Sequence, residues 1–271
     1  MKYFISKDVV GNKDIDDIDI IIMLILNNMH SISDNSVSYI CFDINSLYYR
    51  IYNNFNFAQR DIKLIKDSIN HLIKLGLINI IAKHSNNYVI DSCDVFINTK
   101  EEERYISISE DEFRKIVLSS LRFRYTLLRY YLNVVSTINN KTKVGFTSIM
   151  DLARLSFIDK STALDYNKRL EDMELLYIAR SNTIQRYDNG TIKKLSNTYG
   201  RFIDKDKVVK NFELHNNNVA SINGYDNDNF INRRSIKTKY NHFIKGKYRG
   251  DIKELYDLCV RYNDSLSDMD I

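Results

Sequence analysis

The stretch HLIKLGLINI (71–80) lies over RLEDMELLYI (169–178) at an offset of 98 residues. Leu72 matches Leu170, Leu75 matches Met173 and Leu77 matches Leu175. The same apolar positions therefore recur where a helix gives way to a strand. A period of that length is that of a domain and not of a solenoid. It constrains the 271-residue chain to two similar modules, joined by EEERYISISEDE (101–112).

The local signals agree with two modules. Residues 15–29, 44–52 and 57–75 read as helices, the last with Ile62, Ile65, Ile69, Leu72 and Ile73 at helical spacing. Gly76 ends it, because glycine readily takes the left-handed turn after a helix. Residues 77–82 and 88–90 read as the strands of a hairpin. The order then repeats. Residues 113–138 are helical, in one or two pieces. Residues 148–155 form a short helix that Thr147 or Ser148 can cap. Asp159 can cap the next, which runs to Met173. A strand at 175–180 follows, then a turn at Asp188-Asn189-Gly190, a sequence suited to positive φ, and a returning strand at 192–202. The expected fold is α+β and mainly helical, with modules at 1–100 and 113–203, a linker at 101–112 and a basic extension at 204–271.

Hydrophobic residues make up 44% of the chain and charged residues 27%, which fits a globular protein with a core. The longest apolar run, 18–26, is interrupted by Asp19 and falls far short of the ~20 residues of a membrane span. It is read as core, with an interface as the alternative. The N-terminus has no signal-peptide apolar region. Cys41, Cys93 and Cys259 are scattered without metal spacing, which suits a reducing cytosol. A cytoplasmic protein with no membrane partner is expected.

Charge is uneven. Residues 15–100 carry 7 basic and 9 acidic side chains, a balance of −2. Residues 122–201 carry 14 and 7, a balance of +7, and residues 233–253 carry 8 and 1, again +7. This asymmetry points to an anionic partner for the second half, nucleic acid before membrane. A merely solvated basic surface is the alternative.

Three helices followed by a β-hairpin is the winged-helix order. Leu152-Ala153-Arg154-Leu155-Ser156, then Ile158-Asp159-Lys160-Ser161-Thr162, then Leu170 and Leu175-Leu176, resembles the helix-turn-helix of winged-helix DNA-binding proteins. Two departures stand out: Asn167, where an apolar residue is usual, and Glu174, where glycine is usual. With two such modules and LSNTYGRF (195–202) after the second wing, the chain resembles the replication initiator (Rep) proteins of plasmids and phages of low-GC bacteria. The resemblance implies double-stranded DNA as partner, origin repeats as target and a host helicase or helicase loader as a further partner. A winged-helix transcriptional regulator or partition adaptor of a mobile element is the alternative.

The residues expected at the DNA follow from helix geometry. On a helix starting at Asp159, Ala163, Asn167 and Leu170 share the inner side. Lys160, Ser161, Thr162, Asp165 and Lys168 lie opposite, with Tyr166 and Arg169 beside them. N-terminal residues of such a helix reach base edges in the major groove. Lysines suit phosphate or guanine, hydroxyls suit either, and Asp165 suits a cytosine amine. Arg186, Lys193 and Lys194 flank the wing turn and suit the backbone or minor groove. Arg122, Arg124 and Arg129 lie on LRFRYTLLRYYLNVV (121–135), to meet phosphate or solvent. Lys63, with Arg60, Lys66 and His71, marks weak DNA contact by the first module, which is better suited to homodimerisation or partner docking. The tail 232–250 mixes cations with Tyr240, Phe243 and Tyr248, a pattern that suits single-stranded DNA; a basic linker is the alternative.

Residues for catalysis are not apparent. There is no Walker A sequence. His30, His71, His84, His215 and His242 are isolated, with no His-x-His pair, so Tyr130 and Tyr131 read as packing residues and not as DNA-nicking nucleophiles. The expectation is a protein that is not an enzyme, with no cofactor and no metal ligands.

Overall fold

The computed structural model describes residues 2–29, 39–84, 92–97, 104–180, 184–186, 192–194, 196–223 and 253. The fold is α+β and mainly helical, with small antiparallel sheets. The chain divides into two compact units, residues 1–181 with 196–213, and residues 182–195 with 214–271.

The chain begins with β1 (Lys2–Ser6), α1 (Lys7–Val10), α2 (Asp17–Asn28), β2 (Tyr39–Asp43), α3 (Ile44–Tyr52), α4 (Gln59–Lys74), β3 (Ile78–His84) and β4 (Ser92–Ile97). It continues with β5 (Tyr105–Ser109), α5 (Glu110–Val117), α6 (Arg124–Thr137), β6 (Gly145–Phe146), α7 (Ile149–Leu155), α8 (Lys160–Asp172) and β7 (Leu176–Ala179). Then come β8 (Ile184–Arg186) and β9 (Ile192–Lys194) of the smaller unit, β10 (Thr198–Arg201), a 3-10 turn (Phe202–Asp204) and α9 (Lys205–Asn223).

Two successions in the larger unit match: α2-β2-α3-α4-β3-β4 and α6-β6-α7-α8-β7-β10. In both three-stranded sheets the last strand runs between the other two, as β2-β4-β3 and as β6-β10-β7. The helix ends repeat bond for bond at the offset of 98. Leu75 N–H donates to His71 (2.9 Å), Gly76 to Ile73 (2.9 Å) and Leu77 to Leu72 (3.0 Å). Met173 likewise donates to Arg169 (2.9 Å), Glu174 to Glu171 (2.9 Å) and Leu175 to Leu170 (3.0 Å). This is a Schellman stop, which needs a left-handed residue one position past the helix. Gly76 takes φ 71° and Glu174 takes φ 55°. The glutamate that the resemblance left unexplained therefore adopts the same turn as Gly76, with a Cβ that glycine would spare.

The segment 101–112, expected as a linker, holds β5 and the start of α5. Ile106 and Ile108 alternate inward, and β5 pairs with β1 along its length, from Lys2↔Ser109 to Ser6↔Tyr105. The acidic residues around it obscured that strand signal. Ser109 and Glu112 form a capping box that starts α5. The 192–202 segment is two strands, not one, and β10 is the part that joins β7 and β6. Gly200 in β10 has no room for a side chain: a Cβ would lie 2.2 Å from Val208 and 2.9 Å from the Lys143 carbonyl. Residues 88–90, the turn 188–190 and the tail 232–250 lie outside the described residues.

The main apolar cluster of the larger unit draws on both successions, and a smaller one gathers Val144, Ala179 and Val208. The centre of the main cluster is α2, where every residue from Ile18 to Leu26 is buried. A helix apolar on all sides must be surrounded, and α2 packs against β1, α3, α4 and α6; the run is core. Asp19 lies inside it fully buried. It accepts from the Asp16 N–H (2.9 Å), from His71 Nδ1 (2.7 Å) and from the Ser68 hydroxyl, so its buried oxygens are satisfied.

Arg129 departs from expectation. It does not reach phosphate or solvent, but is buried at 5% exposure between α6 and α2. Its guanidinium lies 3.0 Å from Asp17, donates to the Ile15 carbonyl and sits 5.5 Å from the Phe157 ring centroid. The Thr126 hydroxyl donates to the other Asp17 oxygen (2.5 Å). Nearby, buried Glu112 accepts from the Tyr131 hydroxyl and from Arg201 (3.1 Å), tying α5 to β10. Among the described residues, no helix is long and apolar enough to cross a membrane.

Two stability effects are expected. Arg129→Ala leaves Asp17 without its cation in a mostly desolvated place and should cost roughly 2–4 kcal/mol, read as a shift of the urea midpoint; a loss below about 1 kcal/mol contradicts the role given to the pair. Glu174→Gly relieves the left-handed turn and should stabilise the fold by roughly 0.5–1 kcal/mol. The same measurement showing Glu174→Gly neutral or worse would count against that account.

Candidate nucleic-acid interface

Two short helices and the corner between them carry most of the residues singled out from sequence. Ser148 caps α7 by accepting from the Asp151 N–H (3.0 Å). α7 also stops at a left-handed turn, with Phe157 at φ 56° and Ile158 N–H donating to the Ala153 carbonyl (3.0 Å). Asn133 of α6 donates to the Leu155 carbonyl and to the Ser156 hydroxyl, both at 3.0 Å, and so holds the corner on α6.

Asp159 starts α8. It accepts from the Thr162 N–H (2.9 Å), the Thr162 hydroxyl (2.7 Å) and the Ser161 hydroxyl. These donors hold its carboxyl well below the usual carboxylate range, the hydroxyl of Ser161 first. Ser161 and Thr162 are thus both engaged in the cap, and their lone pairs, not their protons, remain to be offered.

The inner side of α8 holds Ala163, Tyr166, Asn167 and Leu170, all buried. Tyr166, expected beside the DNA face, belongs to this side at 4% exposure. It stacks on Phe123 (centroids 5.2 Å apart, planes at 21°) and meets Tyr130 edge-on at 5.7 Å. Position 166 follows Ala163 by three residues, which turns it inward with Leu170. Asn167 accepts the Tyr130 hydroxyl at 2.8 Å. An apolar residue there would leave a buried phenol unpaired, which accounts for the asparagine. Burial raises the Tyr130 phenol pKa above its ordinary value. Both Tyr130 and Tyr131 are fully buried packing residues.

The outer side splits into two rows. In one, Ser161 is bonded to Asp159, and Asp165 accepts from Arg169 at 2.7 Å. Arg169 also lies 4.9 Å over the Phe123 ring. This row is closed on itself. In the other, Lys160, Leu164 and Lys168 are exposed at four-residue spacing, and neither lysine has a hydrogen bond or ion pair among the described residues. Leu164, 53% exposed, has no charge or hydroxyl to mark it in sequence; the spacing that places Lys160 and Lys168 on one row places it between them.

The remaining cations differ. Arg122 is exposed. Arg124 is engaged: it donates to the Ser119 carbonyl (3.2 Å) and the Tyr125 hydroxyl (3.1 Å) and lies 5.7 Å over Tyr52 of α3. Lys63 is exposed on α4. Arg186, Lys193 and Lys194 belong to the smaller unit, where β8 and β9 pair with Gln185 opposite Lys193, Arg186 opposite Ile192 and Ile184 opposite Lys194. Among the described residues, Asp16, Asp19 and His71 are the group close enough to hold a metal ion, but Asp19 already accepts from both of the others and from Ser68.

The chain matches no family model and no curated protein.

The Asp159 cap carries a pH signature. A carboxyl with a depressed folded pKa stabilises the fold above its unfolded value of about 4, and that contribution is lost as pH falls from there through the folded value. Asp159→Ala should lower the melting temperature at neutral pH, followed by circular dichroism. The gap to the parent should narrow as pH is taken below about 4. A gap that stays constant down to about pH 2 would count against the cap.

Proposed function

We propose that this chain is a cytoplasmic, sequence-specific double-stranded DNA-binding protein built on two winged-helix modules. In this reading it is a plasmid or phage replication initiator that binds origin repeats and recruits a host helicase or helicase loader. The observation that carries the reading is α8: a capped helix, held at a fixed corner, whose open row offers Lys160 and Lys168 with no partner among the described residues. A helix presented in this way suits the major groove, with its first turns nearest the bases.

The repeated order of helices and strands, with the last strand between the other two, supports two modules of one kind. The balance of +7 over residues 122–201 against −2 over residues 15–100 favours the second module as the DNA reader and the first for pairing or partner docking. The initiator role rests on the tandem arrangement and the basic tail. Phosphate contacts would supply affinity and salt dependence, and base contacts the choice of site.

Lys160→Ala should weaken binding to a selected DNA site by more than roughly tenfold in a gel-shift titration, with an unchanged melting temperature, while Lys63→Ala has a smaller effect. Unaltered affinity for Lys160→Ala rejects α8 as the reading helix. Footprints on directly repeated sites near the gene, with replication lost on their deletion, support the initiator role. A single palindrome over a promoter, with replication intact, favours a regulator.

A further inference from the structure

We infer that Leu164 reads the C5 methyl group of a thymine in the major groove, an inference that rests on the DNA-binding function proposed for α8. The row that stays open on α8 is cation, leucine, cation. Lys160 and Lys168 are eight residues apart, so their positions are separated by about 12 Å along the helix. With the first turns of α8 nearest the bases, Leu164, one turn in from Lys160, faces the floor of the groove, while the long lysine side chains can turn to phosphates at its rim.

That residue is Leu164, 53% exposed. The neighbouring row does not compete for the floor, because Ser161 is bonded to Asp159 and Asp165 to Arg169. A leucine set against the donors and acceptors of base edges would strip water from them and return no hydrogen bond. The thymine methyl is the one apolar group an unmodified major groove offers. Leucine opposite that methyl buries apolar surface on both sides, and opposite cytosine, which carries only a hydrogen at C5, that contact is lost. Leu164 therefore favours thymine at one position of the site by contact with its methyl.

The test starts by selecting a binding site from random, unmodified synthetic duplexes, where thymine is the only source of a C5 methyl. Each thymine is then replaced in turn by deoxyuridine, which removes the methyl alone. The parent should lose about fourfold in affinity at one position, the value of one buried methyl. Leu164→Ala should melt at the parent's temperature, bind that site more weakly, and show no penalty for deoxyuridine at that position. A parent indifferent to deoxyuridine everywhere, or a Leu164→Ala protein that keeps the parent's penalty, overturns the inference and leaves α8 as a DNA reader. Failure to select any sequence overturns both.

Discussion

The larger unit depends on the contact between α2 and α6, and within it on the pairing of Arg129 with Asp17. α2 is buried along its length and gives apolar surface on every side, so apolar contact alone specifies its position poorly. The ion pair, 3.0 Å from guanidinium to carboxylate, holds the first turn of α2 against the middle of α6, and direction comes from the hydrogen bonds beside it, Arg129 to the Ile15 carbonyl and Thr126 to Asp17. A buried pair contributes little net stability over apolar residues of the same volume, but leaving one member unpaired is costly. Any packing that parts these helices carries that cost. α6 in turn holds the α7–α8 corner through Asn133 and the inner side of α8 through Tyr130. The orientation of the candidate DNA face is thus traceable to one buried contact between the two halves.

The halves keep the same joint and differ on the surface. Leu72 and Leu170 accept the same bond, and Gly76 and Glu174 take the same left-handed turn. One step along the helix the equivalence ends. Ile69 corresponds to Asn167, and Ser68 to Tyr166. In α4 the polar partners of α2 are Ser68 and His71, which both reach Asp19; in α8 the polar partner of α6 is Asn167, which accepts from Tyr130. Each half solves the same problem, a polar group facing its long helix, with different residues. The outer faces then diverge freely, because among the described residues their side chains are exposed.

Much of the fold was legible in sequence because its signals are local. Helical spacing located α2, α3, α4, α7 and α8 to within about two residues, and Ser148 and Asp159 cap where a hydroxyl and a carboxylate before an apolar run should. β1, β2 and β5, which went unread along with β4, β6 and β8, are short, and their pairing partners lie far along the chain: Tyr105 closes on Ser6, and Tyr39 on Phe96. Within the candidate face, Lys160 and Lys168 were found from charge and spacing. Leu164 was overlooked because it is apolar, and Tyr166 was misplaced because it carries a hydroxyl.

Sequence alone determined the repeat, the α+β character and the capped ends of the helices, since each depends on residues within a turn or two of one another. It also determined where charge accumulates along the chain. Tertiary structure alone decided which polar residues are on the surface. Arg129 and Tyr166 are polar by type and buried by place, because each meets a partner from a distant part of the chain: Asp17 and Phe123. No local pattern encodes such a partner. The open row of Lys160, Leu164 and Lys168 became visible only once the closed row beside it was known to be bonded to itself.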